Sequence, residues 1–262
     1  MNNSLKNLLL PFTPFSPARV KLLLIAQAAI AIALWFASDS KTLPSPSEVA
    51  RAWLTMAQTQ GLIFELWESI KVLLLALLFS TGLSLTIAAA GTAPIFMPLA
   101  RFSSVLRFLG FAGLTYLFML LTNDSYQLKL ALLVFGITVM MVTSMLAEVQ
   151  AIAPEAADHC KTLGMKNWRI TYELVLLGKA DVFLDLVRQN AAIGWTLLTM
   201  VEGLTRSQGG IGALLLNQNR YFQLSAVFAI QITILVYGVT QDFLFGKLKA
   251  VLCPYSISGA SK

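Results

Sequence analysis

Charge is scarce in this chain: Asp, Glu, Lys and Arg make up 12% of its 262 residues, against roughly a quarter in ordinary soluble domains. That scarcity excludes a surface turned mostly to water. There is one histidine, and no run of Cys, His or carboxylates at metal-ligand spacing. The phosphate-cradling pattern GxxxxGK followed by Ser or Thr is missing, and so is the GxSxG elbow of a serine hydrolase. The sequence therefore offers no catalytic constellation, no cofactor is expected in this chain, and any ATP hydrolysis would belong to another subunit. The two cysteines, Cys160 and Cys253, fall in segments expected on the cytoplasmic side, where thiols stay reduced and no disulfide is expected.

What the chain has instead is apolar sequence: 57% hydrophobic residues and a mean hydropathy of +0.73. The apolar residues come in blocks of the length needed to cross a bilayer, about 20 residues of helix. The blocks run over 20–38, 70–91, 105–121, 128–147, 180–200 and 224–245, which predicts an all-α, polytopic membrane protein of about six transmembrane helices. The third is the least regular, because Gly110 and Gly113 interrupt it and Arg107 sits near its start. The first has basic flanks at Arg19 and Lys21, but Trp35, Phe36 and Asp39 follow it rather than a small-residue cleavage site, so it is expected to be retained.

The net charge of +6 is spread between the apolar blocks rather than along one solvated face, so it orients the chain instead of marking a nucleic-acid site. With the amino terminus in the cytoplasm, Lys6, Arg19, Lys21, Arg101, Arg107, Lys161, Lys166, Arg169, Lys179, Lys247, Lys249 and Lys262 lie inside. Outside are Lys41, Arg51, Lys71, Lys129, Arg206 and Arg220, with Arg188 inside the fifth span. This asymmetry fits the positive-inside rule. The expected organisation is a cytoplasmic segment 1–19, a transmembrane domain 20–246 and a cytoplasmic tail 247–262. Within the domain lie an outer interfacial segment, 39–69, and a cytoplasmic loop, 148–179.

In the outer segment Ser47, after the turn Pro44-Ser45-Pro46, reads as the N-cap of an amphipathic helix with Trp53 and Trp67 as interfacial anchors. The loop reads as a helix from Pro154, a break at Gly164 and a second short helix near 167–176. A helix-glycine-helix element on the cytoplasmic face is a docking surface for a soluble partner. His159, alone beside Lys161, is assigned no catalytic role. Arg188 is costly in an apolar span unless it is paired, snorkels or faces a cavity. Asp185, at i−3, is the candidate partner of a pathway or structural ion pair. Glu202 is expected to be solvated. Small residues in spans two and five serve either close packing or a pathway lining, and the glycines at 209, 210 and 212 suit either a re-entrant turn or a flexible loop.

These residues resemble a known family, the binding-protein-dependent ABC transporter permeases of the nitrate, sulfonate, taurine and bicarbonate importers. The resemblance runs from about Leu43 to Tyr255. LPSPSEV at 43–49 is similar to the family's outer motif, GGIGALL at 209–215 to its glycine segment after span five, and 238–245 to the closing Gly…Asp pattern of the last span. PEAADHCKTLGMKNWRI resembles the cytoplasmic signature, in which a Glu-Ala-Ala triplet precedes glycine and a second short helix. Keeping the family's spacing to Gly164 places that triplet at Asp158-His159-Cys160 rather than at the literal Glu155-Ala156-Ala157. The family's leucine-proline after the second short helix is Leu176-Leu177 here, a further proline is Asp181, and span three has glycines where the family has prolines. Because proline fixes where a helix ends or bends, the loop exit and span three are expected to differ in shape.

The resemblance implies a type I importer permease fold in the bacterial inner membrane and a likeness in assembly: a homodimer, two cytoplasmic ATPase subunits that bind the ATP, and an external solute-binding protein. It implies that Asp158, His159, Cys160, Lys161, Leu163, Gly164, Met165, Trp168 and Arg169 contact the ATPase. The implied cargo is a small organic or inorganic anion such as sulfonate, nitrate or bicarbonate, or alternatively a heterocyclic vitamin precursor. The rival class is a stand-alone secondary transporter or channel, for which Asp185 with Arg188 is the candidate charge pair. A membrane enzyme subunit would need catalytic groups clustered at one face, and the sequence has none.

Overall fold

A computed structural model describes residues 17–37, 43–205 and 209–255. Of the residues assigned above, Lys6, Asp39, Lys41, Arg206 and Lys262 lie outside the described residues, as do 1–16 of the amino-terminal segment and 256–262 of the tail. The described residues form helices and turns without a strand. In chain order the helices are α1 (Pro17–Ala37), α2 (Pro46–Thr59), α3 (Leu62–Ala90), α4 (Met97–Val105), α5 (Phe111–Leu121) and α6 (Ser125–Gln150), then α7 (Pro154–Thr162), α8 (Asn167–Thr171), α9 (Ala180–Leu204), α10 (Ile211–Arg220) and α11 (Leu224–Leu252).

Three of these, α3, α6 and α11, are each long and apolar enough to cross a membrane. At 29 residues, α3 extends about 44 Å at 1.5 Å per residue, more than the roughly 30 Å hydrocarbon core. The expected third span is not one helix. A 3₁₀ turn at Leu106–Phe108 follows α4, the chain is extended at Leu109 and Gly110, and α5 has only 11 residues. The two apolar pieces meet at 118° and count as a fourth crossing only if taken together as one bent span. The apolar part of α1 is Val20–Phe36. The 25 residues of α9 suffice in length, but Asp181, Asp185, Arg188 and Glu202 dilute its hydropathy.

The core is the seam between α3 and α6. Leu73, Ala76, Leu77, Ser80, Ser84 and Ala88 recur at three- and four-residue steps on α3, and Leu133, Ile137, Met141 and Met145 at four-residue steps on α6, all buried. This periodicity sets one stripe of each helix against the other. The serines bond across it: Ser80 Oγ donates to the Val134 carbonyl at 3.1 Å and Ser84 Oγ to that of Thr138 at 3.4 Å, which needs the short approach that small residues allow. Helix α9 closes on the seam at Gly194, where a Cβ would stand 2.8 Å from Leu73 Cδ1 and 3.4 Å from Ile137 Cδ1. Here the small residues serve packing. Gly82 and Ala192, on the same helices, remain exposed.

Helix α2 begins two residues earlier than an N-cap at Ser47 implies. Ser45 is the N-cap, Pro46 is the first helical residue, and Glu48 reaches back to the Ser45 N–H while Ser45 Oγ accepts from the Glu48 N–H, a capping box. The helix packs along α11, and Trp53 Nε1 donates to Thr233 Oγ1 at 3.0 Å, so Trp53 is held by a neighbouring helix. Trp67 is exposed. Outside the seam the surface is apolar, including Leu22, Ile25, Leu78, Phe79, Leu120, Leu235 and Val239, as lipid-facing positions must be. The described residues are thus helical, with several long apolar helices of the length and composition of a multi-pass membrane protein.

Substituting Gly194 by Val should lower the melting temperature of the detergent-solubilised protein, since overpacking a tight seam costs about 1–3 kcal/mol. Gly82→Ala, at an open position inside a helix, should not lower it, since alanine favours the helix and meets no neighbour. Equal melting temperatures for the Gly194 variant and wild type would contradict this packing.

Candidate functional site

The 148–179 loop has a built shape. Its end residues are paired, Lys179 Nζ lying 3.0 Å from Glu148 Oε2, which closes the base of the segment. Pro154 starts α7 at a position where its missing N–H costs nothing. Gly164 ends the turn at φ +75°, a conformation glycine adopts without penalty, and α8 follows. The helix-break-helix reading of the sequence is thus what the chain forms, with the second helix passing into a π-helical turn at Tyr172–Leu177. That turn ends at Gly178, where any Cβ would stand 2.8 Å from the Leu174 carbonyl oxygen. The loop therefore exits through a wide turn and a glycine that follows Leu177, the position matched to a proline in the family resembled.

Burial of Cys160, Ile170 and Val175 fixes this element to the bundle. Asp158, His159, Lys161, Leu163, Gly164, Trp168 and Arg169 are exposed, and Met165 is partly so. Trp168 is 66% and Leu163 63% exposed, large apolar surface on a loop that also carries charge. Asp158 pairs with Lys161 at 2.7 Å and Arg169 with Glu173 at 3.8 Å, both on the surface, where such pairs add little. Of the residues expected to contact a partner, only Cys160 is turned inward. A cavity of about 530 Å³ lies beneath the loop, between the 91–97 turn, the end of α6 and the α7–α8 unit, and Trp168 lines it.

At the opposite end of the bundle the glycine-rich segment is neither free nor solvated. Glu202, expected in water, is fully buried, and Lys129, expected in an outer loop, is 2% exposed. Their charged groups lie 3.2 Å apart. Lys129 Nζ also donates to the Gly209 carbonyl at 3.3 Å, and Glu202 accepts from Ser69 Oγ at 2.8 Å and from the Gly212 N–H at 2.8 Å. Ser69 Oγ in turn accepts from the Ile211 N–H, and Glu65 accepts from the Gly210 N–H. Helices α3, α6 and α9 each supply a side chain to one backbone turn. Glycine is required there: Gly210 has φ +103°, and a Cβ on Gly212 would lie 2.4 Å from the Thr199 carbonyl oxygen.

A second charged group sits between α9 and α11. The expected partnership of Asp185 with Arg188 is not the one formed. Arg188 Nε and Nη2 donate to the two carboxylate oxygens of Asp242 at 2.5 and 2.9 Å, and Asp185 pairs with Lys249. Residues three apart on α9 point to neighbouring but distinct positions on α11, and the planar guanidinium takes the carboxylate that meets it with both oxygens. The pair borders a cleft of about 330 Å³ that Ala192, Trp195, Gly238 and Gln241 also line.

Sequence reasoning passed over Lys129, Asp242 and Lys249. The signal existed for Asp242, inside the last predicted apolar block, and for Lys129, at the outer edge expected for the fourth, because an ionisable residue at such a place is expensive enough to imply a partner. No protein-family model matches the sequence, and no curated protein does.

Lys129→Met should destabilise the protein by about 3–5 kcal/mol, because it leaves Glu202 buried without its cation. The double variant Lys129→Met/Glu202→Gln should recover part of that loss in thermal unfolding. A double variant as unstable as the sum of the single ones would show that the two charges do not depend on each other.

Proposed function

We propose that this chain is the transmembrane permease subunit of an ATP-driven importer, with about six crossings, both termini cytoplasmic, and a homodimeric pathway for a small anion. The observation that carries the proposal is the 148–179 loop: a helix-glycine-helix unit, anchored by Cys160, Ile170 and Val175 and clamped at its base by Glu148 and Lys179, that exposes Trp168, Leu163, Asp158 and Arg169 together. An exposed Trp beside an exposed Arg on an anchored projection supplies two of the residue types in which protein-binding hot spots are enriched. No phosphate-cradling loop exists in the sequence, so the partner on this face supplies ATP hydrolysis, and closure of the ATPases would drive alternating access by pushing on the loop. An external solute-binding protein would deliver the substrate to the opposite face. Six crossings take α1 and α9 and the bent α4–α5 pair as spans alongside α3, α6 and α11.

The second reading is a stand-alone secondary transporter, favoured by the charges of Asp185, Arg188, Asp242 and Lys249 on two long helices. It predicts solute uptake into proteoliposomes driven by an ion gradient with no ATPase present.

Co-purification of the detergent-solubilised chain with candidate ATPase subunits tests the first reading. Wild type should capture an ATPase. Trp168→Ala should weaken capture by about 30-fold or more, the effect of removing a hot-spot aromatic. Asp158→Lys should weaken it by charge reversal, and Gly164→Pro should abolish it, because proline cannot adopt the φ of +75° found there. A folded wild type that captures none of them, or variants that bind as well as it does, would reject the docking role.

A further inference from the structure

The cleft between α9 and α11 holds two sets of hydrogen-bond donors with capacity to spare. The fork that Arg188 offers to Asp242 uses Nε and Nη2, which leaves the Nη1 edge outside that pair. Gln241, 5% exposed, accepts from Trp195 Nε1 at 2.8 Å through Oε1, and this bond fixes the direction of its amide. The Gln241 Nε2 group has no partner among the described residues. A buried amide N–H2 without an acceptor costs roughly 1–3 kcal/mol, so an orphan beside a cavity marks a place where an acceptor is missing. Nothing occupies the space in front of Gly238, where a Cβ would meet no atom within 4 Å. Exposed Leu235 and Val239 rim the cleft.

An ion pair is a costly object to maintain at such a place. Its side chains are 40% and 52% exposed on two helices whose outer faces are apolar, and charge facing lipid is unfavourable unless it borders water or binds something polar. The parts in the cleft are complementary to one chemistry. A guanidinium fork and an amide donor both offer hydrogens, and Asp242 supplies the negative group that an incoming anion would replace.

We propose that this cleft is an oxyanion site, in which the acid group of a small ligand displaces Asp242 from Arg188 and takes the unpartnered amide hydrogens of Gln241. Asp242 is then a resident competitor that holds Arg188 in place when the site is empty and sets the affinity low enough for release. The proposal rests on the permease reading only in naming the bound group as part of a transported solute. An anionic lipid headgroup presents the same oxygens, and the test separates the two sources.

The test is calorimetric titration of the full-length chain with sodium ethanesulfonate at constant ionic strength, in lipid-free detergent, with neutral dimethyl sulfone as the control. Wild type should give saturable binding to the sulfonate and none to the sulfone. Asp242→Asn, which removes the competitor, should tighten binding by about tenfold. Arg188→Gln should abolish it and Gln241→Leu should weaken it, both while eluting as monodisperse protein. A purely structural ion pair predicts the opposite for Asp242→Asn: lower thermal stability with no gain in binding. In nanodiscs, competition by phosphatidylglycerol but not phosphatidylcholine would assign the site to a lipid headgroup, whereas unchanged sulfonate binding in both would assign it to a solute. Absence of saturable binding in both wild type and Asp242→Asn overturns the proposal. The permease reading would then stand or fall separately on ATPase capture, which does not depend on Arg188.

Discussion

The rest of the fold depends on the buried pairing of Lys129 with Glu202. Two charges taken out of water are tolerated only when each finds a counter-charge and further hydrogen bonds, and here those bonds go to the backbone of one glycine turn. Because Lys129 belongs to α6, Glu202 to α9 and Ser69 to α3, satisfying the charges brings three helix ends to the same point. The turn from Gly209 to Gly212 is the common acceptor and donor, and its positive φ angles and close backbone contact with Thr199 exclude side chains there. This end of the bundle is therefore held for an electrostatic reason rather than a hydrophobic one.

From that fixed end the helices diverge in how they are held. Between α3 and α6 the contact is a continuous stripe of Leu, Ala, Ser and Met, and α9 reaches it through Gly194. Van der Waals packing and a few hydroxyl bonds hold such a seam, as they must where lipid offers no hydrophobic driving force. Helix α11 is held differently, with few buried residues and with polar links: Trp53 to Thr233, Trp195 to Gln241, Arg188 to Asp242 and Lys249 to Asp185. Polar links exchange partners more readily than interlocked side chains do. The α9–α11 boundary is accordingly the place in this chain where a ligand competes most directly with an internal contact.

The loop at the other end joins the two regimes. Its base is clamped by Glu148 at the end of α6 and Lys179 at the start of α9, so a force applied to α7 and α8 is delivered to one helix of the tight seam and one helix of the polar boundary. Burial of Cys160, Ile170 and Val175 makes the unit stiff, and the π-helical turn before Gly178 absorbs the change of direction.

The sequence by itself determined the helical membrane class, because long apolar blocks with little charge have no other means of satisfying their backbone in lipid. It also determined the outline of the 148–179 loop, since Pro154 and Gly164 act through local backbone geometry that needs no neighbour. The third span shows the limit of such reading: composition marked it as apolar, but the chain breaks around Gly110 and leaves 11 helical residues after it. Only the tertiary structure decided who pairs with whom. Arg188 had a carboxylate at i−3 and took one 54 residues away, and Glu202 was buried by Lys129, 73 residues before it. Spacing along one helix shows which groups are near one another, but a charge in a membrane bundle is claimed by the partner that solvates it best, and helix packing places that partner.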